Sequence, residues 1–199
     1  IHKDGEEIIA GYNFDGKGIE CLKQMKFNPS RCNKLISRKI ITAHQLYPFK
    51  GIVNGEDLNV TVRALFFARK IISVNAPLYN YNQNNSNSIT HGNTLDLIKK
   101  YGLENLRRLE EFALSQKSPD LIAVIDFLKL REKRPLLWPW YGRQFRNIDA
   151  WCHLWPECHR SIKHYPEMSR SEKRIMSLIA NHPWLVKLYF KYLHLRKAD

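Results

Sequence analysis

Apolar residues recur at helical spacing through most of this chain, and only short stretches carry the pattern of strands. From Glu56, the residues Leu58, Val62, Leu65 and Phe66 fall on one face. Asn54 is a suitable N-cap for this helix, Glu56 and Asp57 occupy its first turn, and Arg69-Lys70 suits its end. The helical period returns at Thr94, where Leu95, Ile98, Leu106, Leu109 and Phe112 or Ala113 face one way. Ser118-Pro119 opens a further helix, with Leu121, Ile125 and Leu128 inward, that should end at Arg134-Pro135. Ser169 with Glu172 forms a capping box for a helix ending at Asn181, and Pro183 begins the last helix, which should run to Lys197. Shorter helices are expected from Ile19 to about Lys26, from Arg38 to about Gln45 and around residues 143–154.

The strand signals are fewer. Residues 6–14 read as a strand ending in the turn Asp15-Gly16-Lys17-Gly18. Asn28-Pro29-Ser30 breaks the chain, Cys32 to Ser37 suits an extended segment, Ile71 to Val74 a short buried strand, and Leu78 to Asn82 another. Residues 83–88, all Asn, Gln or Ser, form a loop. The expected class is therefore α+β and mostly helical. Its organisation should be an N-terminal part over 1–93 and a helical region over 94–199, with a sub-boundary near the Pro- and Trp-rich stretch 135–142.

Composition adds bounds. The chain has 199 residues, 44% of them hydrophobic and 26% charged, enough for a sizeable core. Ile1 to Gly18 is too polar for a signal peptide, and no stretch has the length of a membrane-spanning helix. A start at Ile1 leads to the expectation of an excised or processed piece. Cys21, Cys32, Cys152 and Cys158 are too few and scattered for a disulfide scaffold, so reduced thiols and a cytoplasmic setting are expected.

Charge is uneven. The net charge is +13; from Lys129 to Asp199 there are 15 Lys/Arg against 6 Asp/Glu, and all five tryptophans lie in that C-terminal part. A basic, aromatic-rich segment suits an anionic surface; a solvated basic face around a small aromatic core accounts for it equally well.

The candidate chemistry lies in an ordered series. Asn33-Lys34-Leu35 precedes a helix; Gly55-Glu56-Asp57-Leu58 opens the next; Ala68-Arg69-Lys70-Ile71-Ile72 follows. Pro77-Leu78-Tyr79-Asn80-Tyr81 and Asn87-Ser88-Ile89-Thr90-His91 complete it. Across residues 30–92 this series resembles bacterial family 2 glycosyltransferases. The resemblance implies a partial GT-A-type α/β remnant followed by a C-terminal helical appendage. It further implies inverting transfer of a sugar from a nucleotide-sugar to a surface polysaccharide or glycolipid acceptor. Asp57 matches the family's catalytic base, with Glu56 orienting the acceptor or the backbone. Asn33, Lys34, Tyr79, Tyr81, Gln83, Ser88 and His91 match its substrate-binding region.

Divalent magnesium or manganese and the nucleotide-sugar are expected in a full-length enzyme, but none is expected on this chain. No Asp-rich metal motif occurs in residues 1–30, so the donor-binding half is expected to be missing from this piece. Asn82-Gln83 stand where relatives often carry Arg, which weakens any diphosphate contact there. The residues also have plainer accounts. First-turn carboxylates complement the helix dipole, Tyr79 and Tyr81 suit packing on one strand face, and His91 suits a plain loop.

Two rival constellations remain. Cys152-His153 and Cys158-His159 raise zinc, but their spacing fits no common arrangement. The last helix interleaves Trp184, Leu185, Leu188, Tyr189 and Tyr192 with Lys187 and Lys191. That pattern suits a helix at the inner face of the cytoplasmic membrane, and equally one packed on the appendage or on a second chain as a homodimer. Expected partners are a sugar or lipid-linked glycan acceptor, the missing donor half and this membrane surface, with no specific nucleic acid. The alternative to an enzyme is a basic module binding a polyanion, nucleic acid or an anionic membrane surface.

Overall fold

The structure, a computed structural model, describes residues 2–3, 6–7, 11–76, 78–79, 94–137 and 147–195, with the backbone alone at 2–3, 6–7, 94 and 190–195. The chain is α+β with helix predominating. It gathers into two compact units, residues 1–124 and 125–199.

In the first unit β1 (His2–Lys3) pairs antiparallel with β2 (Glu6–Glu7), and β3 (Asp15–Gly16) with β4 (Ile71–Ile72). The Phe14 N–H donates to Ser73 Oγ at 3.1 Å and the Ser73 N–H to Phe14 O at 2.8 Å, prolonging the second pair. These strands are shorter than the apolar runs predict: residues 11–14 are outside any strand, and β4 stops at Ile72. Nor is the run buried, since Ile72 is 61% and Val74 70% exposed. A two-stranded ribbon has no further strand or layer to cover its apolar side chains, so they stay at the surface. The expected strand from Leu78 also fails at its start, where Leu78 and Tyr79 are exposed and irregular. Its remainder, 80–82, and the loop 83–88 lie outside the described residues.

Helix α3 (Glu56–Phe67) is the hub, with α1 (Gly18–Lys23), α2 (Arg38–Ala43) and α5 (Leu103–Ser115) packed on it. The segment 32–37, expected to be extended, forms no strand before α2. The approach of α1 is close enough that the Gly18 N–H donates to Ala68 O at 3.0 Å. A Cβ on Gly18 would lie 1.7 Å from Leu65 O, so no other residue fits without backbone movement. The expected one-sided apolar face of α3 is corrected: residues 58–65 are buried without a break, including Asn59, Thr61 and Arg63. α4 (Thr94–Leu97), a π-helical turn (Ile98–Gly102) and α5 follow one another, burying Ile98, Leu106, Leu109 and Ala113 as their spacing predicts. Phe66, Phe67 and Phe112 meet edge to face, and His44 stacks on Phe67 at 3.6 Å.

α6 (Pro119–Leu137) starts as predicted but continues through Pro135 instead of ending there. Leu136 and Leu137 are both buried, and that burial offsets the cost of a proline in the last turn.

The second unit also holds α7 (Ile148–His153), a nine-residue 3-10 helix (Pro156–His164), α8 (Arg170–Asn181) and α9 (Pro183–Leu195). The capping box forms reciprocally: Ser169 Oγ accepts from the Glu172 N–H, and Glu172 Oε2 from the Ser169 N–H. The 3-10 helix had no distinct sequence signal. It is long for its type and is held by side chains of α6: Asp126 accepts from Arg160 Nε at 2.9 Å and Ser161 Oγ at 2.8 Å, and Lys129 donates to Glu157 at 2.7 Å. Among the described residues no helix is long and apolar enough to cross a membrane.

Candidate functional site

The start of α3 is fixed by a chain of buried polar groups. Gly55, not Asn54, is the N-cap residue, with φ of +85°. Its carbonyl accepts from Asn105 Nδ2 at 2.8 Å, and Asn105 Oδ1 accepts from Asn59 Nδ2 at 3.0 Å. Arg63 closes the chain, donating Nε to Asn59 O at 2.9 Å and Nη2 to Asn59 Oδ1 at 3.0 Å. Its guanidinium also donates to Tyr47 O and lies 4.2 Å from the centre of the Phe49 ring. Burial lowers the Arg63 pKa, yet a guanidinium stays protonated in a protein. A Cβ at Gly55 would meet Asn105 Nδ2 at 2.8 Å, so both the left-handed backbone and the close approach call for glycine.

From this fixed turn Asp57 reaches the loop 28–34. Its Oδ1 pairs with Arg31 Nε, and its Oδ2 accepts from the Arg31 N–H at 3.2 Å and Ser30 Oγ at 3.4 Å. One turn on, Thr61 Oγ1 donates to Pro29 O at 2.9 Å. Burial pushes the Asp57 carboxyl up, but the Arg31 hydrogen bonds and charge, with Ser30, outweigh it and hold it below its ordinary value. Asp57 is thus ionised at neutral pH, and its side chain is 30% exposed. A carboxylate offers about four lone-pair positions, and three are taken here by the described residues.

The loop is folded by its own polar groups. The Ser30 N–H donates to Asn28 Oδ1 at 2.8 Å and the Cys32 N–H to Ser30 Oγ at 3.2 Å, two local side-chain turns. Lys34 Nζ donates to Asn28 O and Ser30 O, each at 2.6 Å, and to Asn33 Oδ1 at 2.8 Å. Burial pulls the Lys34 pKa down to about 8, opposed by charges that include Asp57.

Among the expected site residues, Asp57, Asn33 and Lys34 therefore belong to one polar cluster. Glu56 is half-buried beside them, without a hydrogen bond or ion pair among the described residues. Tyr79 is exposed, which removes core packing as its account. Tyr81, Gln83, Ser88 and His91 lie outside the described residues. Arg31 and Ser30, the partners of Asp57, were missed. The Asn-Pro-Ser sequence marked a turn here, but nothing local ties that turn to a carboxylate 26 residues away.

A second polar cluster lies in residues 125–199. Lys133 is fully buried, and its Nζ donates to Leu154 O at 2.6 Å, Trp155 O at 3.2 Å and Trp151 O at 3.3 Å. It lies 2.8 Å from His159 Nε2 and 4.4 Å from the centre of the Trp151 ring, on which His159 stacks. Burial, then the Lys133 charge, pulls His159 down to about 4, so its neutral ring offers Nε2 to the ammonium. The two Cys-His pairs are occupied separately: Cys158 is buried, Cys152 Sγ points to Ile179 O at 3.7 Å, and His153 Nδ1 lies 2.7 Å from Asp149 O. Among the described residues no three His, Cys, Asp or Glu side chains converge as a metal site would require.

Comparison with family models, with curated proteins and with solved structures finds no match for this chain.

Proposed function

We propose that this chain is the acceptor-side portion of an inverting family 2 glycosyltransferase of GT-A type, with Asp57 as its base. The sequence series from Asn33 to His91 suggests the reading. The observation that carries it furthest is a partly exposed, ionised Asp57 on a helix start held from behind. An acceptor hydroxyl donates to that carboxylate while its oxygen attacks the anomeric carbon; the bond from that carbon to the nucleoside diphosphate breaks, the diphosphate leaves, and Asp57 takes the hydroxyl proton. Its lowered pKa keeps it ready to accept at neutral pH. Transfer of the proton then follows bonding, when the attacking oxygen has become strongly acidic. Glu56 stands beside it to orient the acceptor. The reaction's divalent cation has no converging ligand set among the described residues, so no step here is assigned to it.

Calorimetry with UDP- and GDP-sugars plus manganese tests the split-site reading, comparing this chain with one extended upstream. Binding only by the longer chain is expected; absence from both overturns it. In the longer chain, Asp57→Asn should leave donor binding intact and lower turnover by about a hundredfold or more. Near-normal turnover would return Asp57 to the structural task of pinning loop 28–34.

A further inference from the structure

The last two helices leave an apolar face uncovered. On α8, Ile175 and Leu178 are exposed; on α9, Trp184, Leu185, Leu188 and Tyr189 are, with Trp184 at 58% and Leu188 at 56%. At about 100° per residue those four positions of α9 share one side, while the buried Val186 falls on the other. The charge around this face is predominantly positive, and its exposed neighbour Asp149 is paired with Lys187. From residue 170 to 195 there are five Lys/Arg and a single acid, Glu172, which is engaged by Arg134 and the α8 cap. Arg170 and Arg174 are exposed, and with Lys173 they have no ion-pair partner among the described residues.

We propose that this face docks on an anionic lipid bilayer, with α9 lying in the headgroup region and its apolar side turned toward the acyl chains. Three kinds of occupant can be weighed against the residues. A second copy of the chain would bring the same excess of positive charge, while the nearby acids Asp149 and Glu172 are already engaged by Lys187 and Arg134, and the cores of protein interfaces are depleted in lysine. A nucleic acid would use the arginines but gain nothing from Ile175, Leu178, Leu185 and Leu188. Anionic lipid uses both, since its phosphates meet the basic rim and its interface takes Trp, Tyr and Leu. No helix of the described residues can span a bilayer, so the contact is one of lying on the surface. This inference stands on the exposed helix face and is independent of the transferase reading.

The test is co-sedimentation of the full chain with two kinds of vesicle, phosphatidylcholine alone and phosphatidylcholine with about a third phosphatidylglycerol. Binding to the anionic vesicles, weakened by salt and at least tenfold tighter than to neutral ones, is expected. Leu188→Glu, at an exposed position, should keep the far-UV circular dichroism and lose tenfold or more in affinity. Arg174→Gln should lose roughly fivefold, the effect of one basic residue near a charged surface. Equal binding to both vesicle types, absence of binding, or a Leu188→Glu variant that binds like the parent would each overturn the proposal. So would tighter binding to duplex DNA that Leu188→Glu leaves untouched.

Discussion

In each unit a buried cation lies over an aromatic ring, and the two cations are held in different ways. Arg63 lies 4.2 Å from the Phe49 ring centre and Lys133 lies 4.4 Å from that of Trp151. Each is surrounded by carbonyl oxygens and uncharged side chains, Asn59 for Arg63 and His159 with Cys158 for Lys133, and neither has a carboxylate hydrogen-bond partner among the described residues. The flat fork of Arg63 spans two segments at once, joining the loop at Tyr47 to α3 and, through Asn59 and Asn105, to the cap at Gly55. The compact ammonium of Lys133 instead gathers three carbonyls from one turn at the end of α7. A fork ties elements together and a point charge closes one turn, so the first fixes the geometry of a site and the second fixes a core.

Removing the point charge should have the largest effect. Lys133→Met leaves three buried carbonyls without their donor, and urea unfolding should show a loss of about 3 kcal/mol or more. A variant as stable as the parent would mean that the cation organises nothing. Arg63→Lys is the sharper test of the difference, because it keeps the charge and removes the fork. It should lose about 2 kcal/mol, whereas a negligible change would make the two cations equivalent. Gly55→Ala probes the end of the Arg63 chain. A β-carbon in the left-handed region, pressed on Asn105, should lower stability by about 1–2 kcal/mol in the same assay.

The remaining expected effect is a pH dependence of the Lys133 cluster, which appears only below neutral pH. His159 takes its proton near 6.5 when unfolded but only near 4 when folded. The unfolded chain therefore binds more protons across that window, and stability falls as pH drops from 6.5 toward 4. His159→Gln keeps an acceptor for Lys133 and removes the titration, so its Tm should vary less with pH above about 5 than the parent's. An unchanged profile would place the acid sensitivity elsewhere.

The strength of a sequence signal follows how local its physics is. Helical spacing located Ile98, Leu106, Leu109 and Ala113 in the core, and the capping box at Ser169 and the start at Pro183 fall where expected. The strands were over-read because alternation and β-branching report local preference, while strand length depends on neighbours that a two-stranded ribbon lacks. α6 runs past Pro135 because that residue is only a local stop, and the burial of Leu136 and Leu137 that overrides it is not local. At the candidate site, Asp57 and Lys34 were legible as residues, but not as members of one cluster with Arg31 and Ser30.

By itself, then, the sequence determined the helical class, most helix starts, the Ser169 cap and the basic, aromatic character of the last helix. Those features depend on residues within about four positions of one another, where period and cap chemistry act directly. Only the tertiary structure decided that Asp57 is held by Arg31, that Gly18 admits α1 against Leu65, and that Lys133 is caged by the turn after α7. It also decided which side of α9 is left uncovered. Each of these joins groups 20 or more residues apart, or depends on what packs behind a helix. A buried charge or a missing β-carbon gains its meaning only from the partners that folding brings to it.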